Sequence, residues 1–393
     1  LSSIRQTRPL PAKIVLWDGT EFSLGEQANV TILLRDKSAL PKLINPTLDK
    51  LCDAFVTGRI DVDGPLPEVI RIVRELAQTN PSTREGLLPK WAKRHSKKSD
   101  REAISYHYDV SNAFYEKFLD DRMVYSCGYF KSDDVTLEQA QLDKLDLICR
   151  KLNLQPGQKF LDIGCGWGAM VIHAAQHYGV LAVGVTVSEQ QFELAHDRVR
   201  QAQLQDSIEI RLQDYRDIPE RNHFDRISSI GMFEHVGLKH LLEYFQQIEQ
   251  MLADGGIALK HGITAADTDS RSVGMGAGEF IGRYVFPNGE LPHVSLAITE
   301  MSRAGLELVD AESLRRHYGK TLWHWSERFE QHVSQLREIA GEERTRIWRA
   351  YLAGCAYGFD NGWMNIYQLL AAKPSTKTSE LAIGQPMTRD YIY

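Results

Sequence analysis

The sequence predicts an α/β protein: a mainly parallel, doubly wound sheet, with a small α/β domain before it and helical additions after it. Two observations predict the sheet. Strand-like and helical runs alternate from about residue 137, and a glycine-rich turn at 164–168 joins a buried strand to a helix. Strands that alternate with helices of this length are typical of parallel sheets. In addition, 393 residues are too many for one ordinary domain.

The first part of the chain, residues 1–88, is predicted to form a small, separate α/β domain. Its strand-like apolar runs are separated by polar turns, and its two helical patterns carry apolar residues on one side. The predicted strands are 12–17, 30–34 and 58–64, and the predicted helices are one through Leu48, Leu51 and Phe55 and one that opens at Pro67.

The second part, residues 105–393, contains the alternating pattern and is predicted to be the main domain. Its predicted strands are short apolar runs, and helical patterns lie between them. The strands are 159–163, 181–187, 208–212, 224–230 and 256–260, and the helices include 189–203 and 238–252. Residues 321–372 are rich in aromatic side chains and are predicted to be mainly helical.

Between the two parts, residues 89–104 form a basic linker. Six Lys or Arg residues fall between positions 90 and 101, together with one tryptophan. Two interpretations stay open: a solvated linker, or a patch that meets an anionic membrane surface.

Composition and charge exclude several classes of function. The net charge is −6, so no global basic field points to nucleic acid as a partner. Five cysteines without CxxC spacing are typical of free thiols in a reducing compartment. No apolar run reaches the ~20 residues needed to span a bilayer, and no basic-then-apolar leader is present. We therefore expect a soluble, cytoplasmic protein.

The glycine-rich turn has the pattern Asp-x-Gly-x-Gly-x-Gly, formed by Asp162, Gly164, Gly166 and Gly168. Glycines permit a tight turn, and the N-terminus of the helix that follows offers free N–H groups. The pattern differs from the dinucleotide fingerprint. It resembles the first motif of class I S-adenosylmethionine methyltransferases, which have a Rossmann-like fold. The resemblance implies that Asp162 accepts a hydrogen bond from the amine of S-adenosylmethionine; the alternative is that Asp162 caps the turn.

Polar residues follow the next two predicted strands, where the ribose and the adenine of this cofactor would lie in such a fold. The candidates are Thr186, Ser188, Gln190 and Gln191 after one strand, and Asp214, Tyr215 and Arg216 after the other. Hydroxyl and amide groups can bind a ribose diol. Asp214 would accept from the exocyclic amine of adenine, and Tyr215 would cover the ring.

Several longer motifs occur in one order between residues 105 and 330. They are His107-Tyr-Asp-Val-Ser-Asn-Ala-Phe-Tyr115, Tyr125-Ser-Cys-Gly-Tyr129, Gly184-Val-Thr-Val-Ser188, Gln213-Asp-Tyr-Arg-Asp217, Gly231-Met-Phe-Glu-His-Val-Gly237 and Phe286-Pro-Asn-Gly-Glu-Leu-Pro292. Their joint occurrence resembles the cyclopropane fatty acid synthases. The resemblance implies an enzyme that uses S-adenosylmethionine to modify unsaturated acyl chains of phospholipids at the membrane surface.

The resemblance also implies the reaction: an acyl-chain alkene attacks the sulfonium methyl group, and a base then removes a proton from the transferred carbon to close a cyclopropane ring. The implied base is a bicarbonate ion. The residues that would hold it are Cys127, Glu234, His261, Ile263 through its backbone N–H, and Tyr318. Glu234 would accept a hydrogen bond from the bicarbonate hydroxyl, while His261 and Tyr318 would donate. Tyr125 and Ser126 are implied for the carboxylate of the cofactor.

The same resemblance implies a homodimer that associates peripherally with the inner face of the membrane. The N-terminal domain and the basic segment 89–104 would then engage the bilayer.

Alternatives stay open for the product and for the site. The glycine-containing loop between Ile263 and Phe286 departs from the simplest family pattern, so a methyl-branched or methylene product is possible. Methylation of an amine would need no bicarbonate pocket. A metal site of Cys127, Glu234, His235 and His261 lacks compact ligand spacing, and no nearby motif activates Cys127 as a nucleophile. Outside enzymes, the alternative is a lipid-binding protein.

Overall fold

The computed structural model describes residues 9–44, 46–78, 111–270, 277–286, 289–375 and 386–393. The predicted linker 89–104 lies outside these residues. The chain divides into two compact units, each built from three chain segments. The first unit is Leu1–Lys93, Ser272–Pro287 and Leu322–Trp363, and the second is Arg94–Arg271, Asn288–Thr321 and Met364–Tyr393. The units therefore do not coincide with the contiguous domains 1–88 and 105–393.

The strands of the described residues form two sheets. The first sheet has the order β2-β1-β3-β4 and the second the order β10-β11-β9-β8-β5-β6-β7. In chain order they are β1 (Ala12–Val15), β2 (Glu21–Ser23), β3 (Val30–Leu34), β4 (Ile60–Asp63), β5 (Lys159–Ile163), β6 (Leu181–Thr186), β7 (Ile208–Leu212), β8 (Phe224–Ile230), β9 (Leu252–Ala265), β10 (Glu307–Ser313) and β11 (Met364–Ala372).

The α-helices of the described residues are numbered in the same way. They are α1 (Leu40–Ile44), α2 (Leu48–Val56), α3 (Leu66–Gln78), α4 (Asn112–Tyr115), α5 (Leu137–Lys151), α6 (Ala169–Tyr178), α7 (Glu189–Gln201), α8 (Leu241–Met251), α9 (Ala277–Tyr284), α10 (Val294–Arg303), α11 (Arg315–Gln331), α12 (Val333–Ala340) and α13 (Glu342–Asp360). No helix in the described ranges is both long enough and apolar enough to cross a membrane.

The first unit packs one face of its sheet against helices. Burial alternates along β1 and β3, so that Ile14 and Ile32 point into the core, as the period of a strand requires. Helix α2 begins after Thr47, whose hydroxyl accepts from Lys50 N. The predicted strands at 12–17, 30–34 and 58–64 and the two predicted helices are confirmed.

The second unit has the predicted doubly wound sheet. Strands β9, β8, β5, β6 and β7 are parallel neighbours, and β5 and β8 are almost entirely buried. Successive residues of a strand point to opposite faces. Accordingly, Phe160 of β5 packs in one core with α5, α6 and α7, while Leu161 packs in the other with α8 and α10. This arrangement confirms the predicted fold class.

The end of the chain differs from the prediction. The prediction of mainly helix for 321–372 holds only as far as Asp360, because 364–372 is strand β11. Strand β11 pairs antiparallel with β9 on one side and with β10 on the other. Its leucines, alanines and glutamine favour a helix in isolation, and the pairing with β9 overrides that local preference. Strand β10 was not predicted at all.

Candidate active site

The glycine-rich turn follows β5 and leads into α6. Gly164, Gly166 and Gly168 have φ angles of +77°, +55° and +83°, in the left-handed region that other residues rarely adopt. The turn is also crowded: a Cβ added at Gly164 would lie 3.3 Å from the side chain of Met232. The glycine pattern thus reflects both backbone conformation and the close approach of the segment after β8.

A cavity of about 150 Å³ opens beside this turn, at the carboxyl ends of the parallel strands. We call it the glycine-turn cavity. Most of the predicted cofactor residues line it: Tyr125, Ser126, Asp162, Gly164, Gly166, Thr186, Gln191, Asp214, Tyr215 and Arg216.

Three predicted cofactor residues do not line the cavity but lie at helix termini beside it. Gly168 precedes α6 as its N-terminal cap. The hydroxyl of Ser188 caps α7 by accepting from Gln191 N. The backbone carbonyl of Gln190 accepts from the Asn112 side chain at 3.5 Å.

Asp162 is the buried acid of the cavity. Its Oδ1 accepts from the Ser228 hydroxyl at 2.6 Å. Burial raises the pKa of the Asp162 carboxyl to about 6, against the opposing effects of Ser228 and Lys144. The carboxylate is therefore held by a neighbouring strand, and it faces a cavity that could offer it a cationic partner.

Lys144 is a residue of the cavity that the sequence analysis missed. It is buried, and its Nζ donates to Ser126 Oγ at 2.9 Å. Burial lowers the pKa of Lys144 to about 8, although Asp120 and Asp162 raise it. The sequence pattern could have indicated this burial. Lys144 stands four residues before Ile148, on the apolar face of the predicted helix.

The polar residues beyond β6 and β7 are paired with each other. Thr186 Oγ1 donates to Gln191 Oε1 at 2.8 Å. Both oxygens of Asp214 accept from Arg216, at 2.9 and 2.7 Å. The predicted hydrogen bond from adenine to Asp214 would therefore have to share a carboxylate that Arg216 already engages. Tyr215 also lines the cavity.

Glu234 lies in a short 3-10 turn, Phe233–His235, just after β8. Its Oε1 accepts from the backbone N–H of Ile263 at 2.6 Å. Its Oε2 is buried and has no hydrogen-bond partner in the described part of the chain. The N–H that was predicted to hold bicarbonate thus holds the Glu234 carboxylate.

Like Glu234, His261 has a buried side-chain atom without a hydrogen-bond partner in the described residues. Gln368 Nε2 lies 3.2 Å from its Nδ1, while Nε2 is buried without a partner among the described residues. Burial and the nearby lysines lower the pKa of His261 well below its usual value, so the ring is neutral. If the Gln368 amide donates to Nδ1, the single ring proton lies on Nε2, and Nε2 is then a donor.

Cys127 and Tyr318 both contact Leu314, the residue that follows β10. Cys127 Sγ lies 3.8 Å from the carbonyl of Leu314, which also accepts from Tyr318 N at 3.0 Å. Leu314 N in turn donates to the carbonyl of Ile366, the register partner of Ile263. We call Cys127, Glu234, His261, Ile263 and Tyr318 the Glu234 cluster. Its members lie on neighbouring elements of the second unit.

The Glu234 cluster adjoins the glycine-turn cavity without lining it. None of its five residues lines the cavity, but His235, the next residue after Glu234, does. Burial also raises the pKa of the Cys127 thiol strongly, which keeps Cys127 protonated and a poor nucleophile. No group of three metal-ligating side chains occurs in the ranges that the structure describes.

Comparison with known proteins assigns the chain to a family. The family model of mycolic acid cyclopropane synthetases matches residues 95–369. The chain belongs to this family. The prediction from the sequence motifs is therefore confirmed, and a second family model, for a domain of unknown function, matches residues 2–83.

Relatives extend the match over nearly the whole chain. The chain is 48% identical over 388 residues to a probable fatty acid methyltransferase of Pseudomonas putida, which covers 99% of this chain and 98% of that protein. It is 38% identical over 267 residues to the cyclopropane-fatty-acyl-phospholipid synthase of Escherichia coli, covering 68% of this chain and 66% of that one.

Solved structures support the same assignment. The cyclopropane synthase MmaA2 of Mycobacterium tuberculosis superimposes with a TM-score of 0.67 and 34% identity, covering 70% of this chain and 98% of that one. Mycolic acid cyclopropane synthase CmaA1, complexed with SAH and CTAB, gives a TM-score of 0.65 and 35% identity, with the same coverage. The fold is that of class I S-adenosylmethionine methyltransferases, and the family supports the predicted cofactor.

The residues of the glycine-turn cavity fit this cofactor. The buried carboxyl of Asp162 can accept from an amine, while Lys144 and Ser126 offer a cation and a hydroxyl to a carboxylate. At Gly164 the positive φ angle and the nearby Met232 side chain both disfavour a larger residue. The cavity therefore suits an amino-acid end at the turn and an aromatic ring beside Tyr215.

Proposed function

We propose that this enzyme transfers the methyl carbon of S-adenosylmethionine to the cis double bond of an unsaturated phospholipid acyl chain and closes a cyclopropane ring, with bicarbonate as the base. The names of the relatives support this substrate class: one is a cyclopropane-fatty-acyl-phospholipid synthase and another a probable fatty acid methyltransferase. The family assignment supports cyclopropanation.

The observation that carries the proposal is the Glu234 carboxylate. One oxygen is fixed by Ile263 N–H and the other is buried without a partner in the described residues. A buried acceptor of this kind costs about 1–3 kcal/mol until a donor reaches it. The hydroxyl of a bicarbonate ion is such a donor, and a further bicarbonate oxygen can accept from His261 Nε2. A small oxyanion that carries one hydroxyl group would satisfy both atoms if it lay between them.

The chemistry explains why such an ion is useful. Bound S-adenosylmethionine supplies an electrophilic methyl carbon on a positively charged sulfur. The alkene π electrons form the new carbon–carbon bond as the carbon–sulfur bond breaks, which leaves a cation on the acyl chain. A base then takes a proton from the transferred carbon, and the electrons of that C–H bond close the ring. By accepting a hydrogen bond from the bicarbonate hydroxyl, Glu234 makes the ion a stronger base.

Two further features belong to the proposal. The enzyme is a cytoplasmic homodimer that associates peripherally with the membrane, and the N-terminal domain with the basic segment 89–104 contacts anionic lipid. The second candidate product is a methyl-branched or methylene chain, because the loop between Ile263 and Phe286 departs from the simplest family pattern. Amine methylation does not need the Glu234 cluster.

The proposal is tested with the purified enzyme, S-adenosylmethionine and vesicles of unsaturated phospholipid. Mass spectrometry should show the gain of one methylene group on the acyl chain, and NMR should show cyclopropane protons. Vesicles with saturated chains serve as the control and should give no product. A gain on the head group, or no gain with any unsaturated lipid, would refute the proposed function. S-adenosylmethionine should also raise the Tm, which a simple lipid carrier would not show.

A further inference from the structure

Lys260 is a buried lysine that the proposed chemistry does not yet use. It lies in β9, one residue before His261, and only 2% of its surface is exposed. Its Nζ has no hydrogen-bond partner in the part of the chain that the structure describes. A lysine is almost never fully buried unless it is paired, because its charge is costly to remove from water.

The ammonium group of Lys260 sits beside the residues that form the Glu234–Ile263 hydrogen bond. Its Nζ lies 3.7 Å from the centre of the Phe233 ring, and Phe233 immediately precedes Glu234. A Cβ added at Gly262 would lie only 2.8 Å from the same Nζ, and Gly262 immediately precedes Ile263. Lys260 therefore packs against both residues whose neighbours make this hydrogen bond.

On this face of the sheet Lys260 lies among uncharged groups, both apolar, such as its β11 register partner Leu369, and polar, such as Ser229. Ser229 is the register partner of Lys260 in β8. Tyr244 of α8 faces Ser229, and burial raises the pKa of Tyr244, so that it stays neutral. Glu234 acts on Lys260 through its charge, although no hydrogen bond joins the two side chains in the described part of the chain.

The electrostatics agree with this geometry. Burial lowers the pKa of Lys260 to about 7, and the charge of Glu234 acts in the opposite direction by favouring the ammonium form. The Phe233 ring also favours a cation at this distance.

We propose that Lys260 is a positioning residue of this active site, which fixes the Glu234 carboxylate and supplies its counter-charge. This inference rests on the proposed function, in which Glu234 accepts from bicarbonate. Lys260 touches neither substrate nor cofactor in this account. It acts through Glu234, by keeping the turn that carries Phe233 and Glu234 packed on the end of β9.

The first test is Lys260→Met, which keeps the length of the side chain and removes its charge. We expect kcat on unsaturated phospholipid to fall about tenfold, with the KM for lipid and the Kd for S-adenosylmethionine nearly unchanged. A purely structural role would change Tm without this split between kcat and KM. Wild-type kcat in the folded variant would overturn the inference. If Lys260→Met does not fold, Lys260→Gln, which keeps a polar end without charge, replaces it.

The second test needs no activity, so it separates this inference from the proposed function. The Tm is measured for Lys260→Met, for Glu234→Gln and for the double variant. If the two charges support each other, Glu234→Gln lowers the Tm in the wild-type background and lowers it much less when Lys260 is absent. Additive changes in Tm would contradict the coupling, even if the enzyme made the expected product.

Lys151 provides the matched control for the second test. It is as buried as Lys260, but it pairs with Glu312 and Asp310 rather than with Glu234. The changes in Tm for Lys151→Met and Glu234→Gln should therefore be additive. Coupling as strong as that of Lys260 would show that any buried lysine of the unit has this effect, and would refute a specific role for Lys260.

Discussion

The glycine-turn cavity and the Glu234 cluster are neighbours in one unit, but they differ in whether their polar groups have hydrogen-bond partners. In the cavity the polar side chains pair with each other, as Asp162 does with Ser228 and Lys144 with Ser126. In the cluster, Glu234 Oε2 and His261 Nε2 are buried and have no partner within the described residues.

This difference indicates two kinds of site. A cavity whose polar groups are already paired keeps its shape and binds by complementarity. A cluster with unpaired buried atoms is costly to fold, by about 1–3 kcal/mol per atom, and gains most from a small polar partner. We therefore expect substitutions in the two regions to have separable effects, on cofactor binding in one and on chemistry in the other.

The largest effect should come from Glu234→Gln. The amide keeps the size of the side chain but can no longer accept as a carboxylate from bicarbonate. We expect the protein to fold and to lose activity on unsaturated phospholipid by about 10²–10³-fold. The Kd for S-adenosylmethionine, measured by calorimetry, should stay within about twofold. Full activity of Glu234→Gln would contradict the assignment of chemistry to the Glu234 cluster.

The next effect should come from Asp162→Asn, which changes the cavity instead. Loss of a charge-assisted hydrogen bond should weaken cofactor binding by about tenfold or more. Because the pKa of Asp162 is raised to about 6, wild-type affinity should decline as pH falls through 6, where the carboxylate becomes protonated. The Asn variant should lack this decline. An unchanged Kd at every pH would remove Asp162 from the binding site.

A smaller effect is expected for Tyr318→Phe in the Glu234 cluster. If the Tyr318 hydroxyl donates to bicarbonate, its loss should lower kcat about tenfold at ambient bicarbonate. Added bicarbonate should restore part of the activity by mass action, without changing the Kd for the cofactor. The measurement is a bicarbonate titration of kcat for both proteins, and indifference of the variant to bicarbonate at all concentrations would speak against the anion pocket.

The smallest effect concerns stability. Burial lowers the pKa of Lys260 to about 7 from 10.5. Between these values the unfolded chain holds a proton that the folded protein has released, so stability rises with pH across that window. Lys144, with a pKa of about 8, contributes in the same direction from a higher pH. We expect the rise in Tm from pH 7 to 9 to be smaller in Lys260→Met than in the wild type; an equal rise would contradict the lowered pKa of Lys260.

The sequence was sufficient for the parts of the molecule that local patterns control. The glycine turn and the parallel strands follow from residue type and spacing. Strand β11 did not, because its leucines and alanines favour a helix and only its pairing with β9 makes it a strand. The sequence also did not predict which chain segments form each compact unit. Residues 322–363 belong to the same unit as the N-terminal sheet.

The same limit explains what was missed in the site. The sequence analysis did not single out Lys144 or Lys260, and the burial of Lys260 depends on elements distant in the chain. The hydrogen bond from Ile263 to Glu234 joins residues on two different elements and has no signature in sequence. The five members of the Glu234 cluster came from the family resemblance, and their roles in catalysis stay predictions.

The central claim is that the transferred carbon loses one proton to a base beside Glu234. It is tested most directly with S-adenosylmethionine whose methyl group carries three deuterium atoms, incubated with the enzyme and unsaturated phospholipid vesicles. Our account predicts an acyl product that retains two deuterium atoms on the added carbon. A product that retains all three would contradict it, because the proton would then have left another carbon and no ring would have formed.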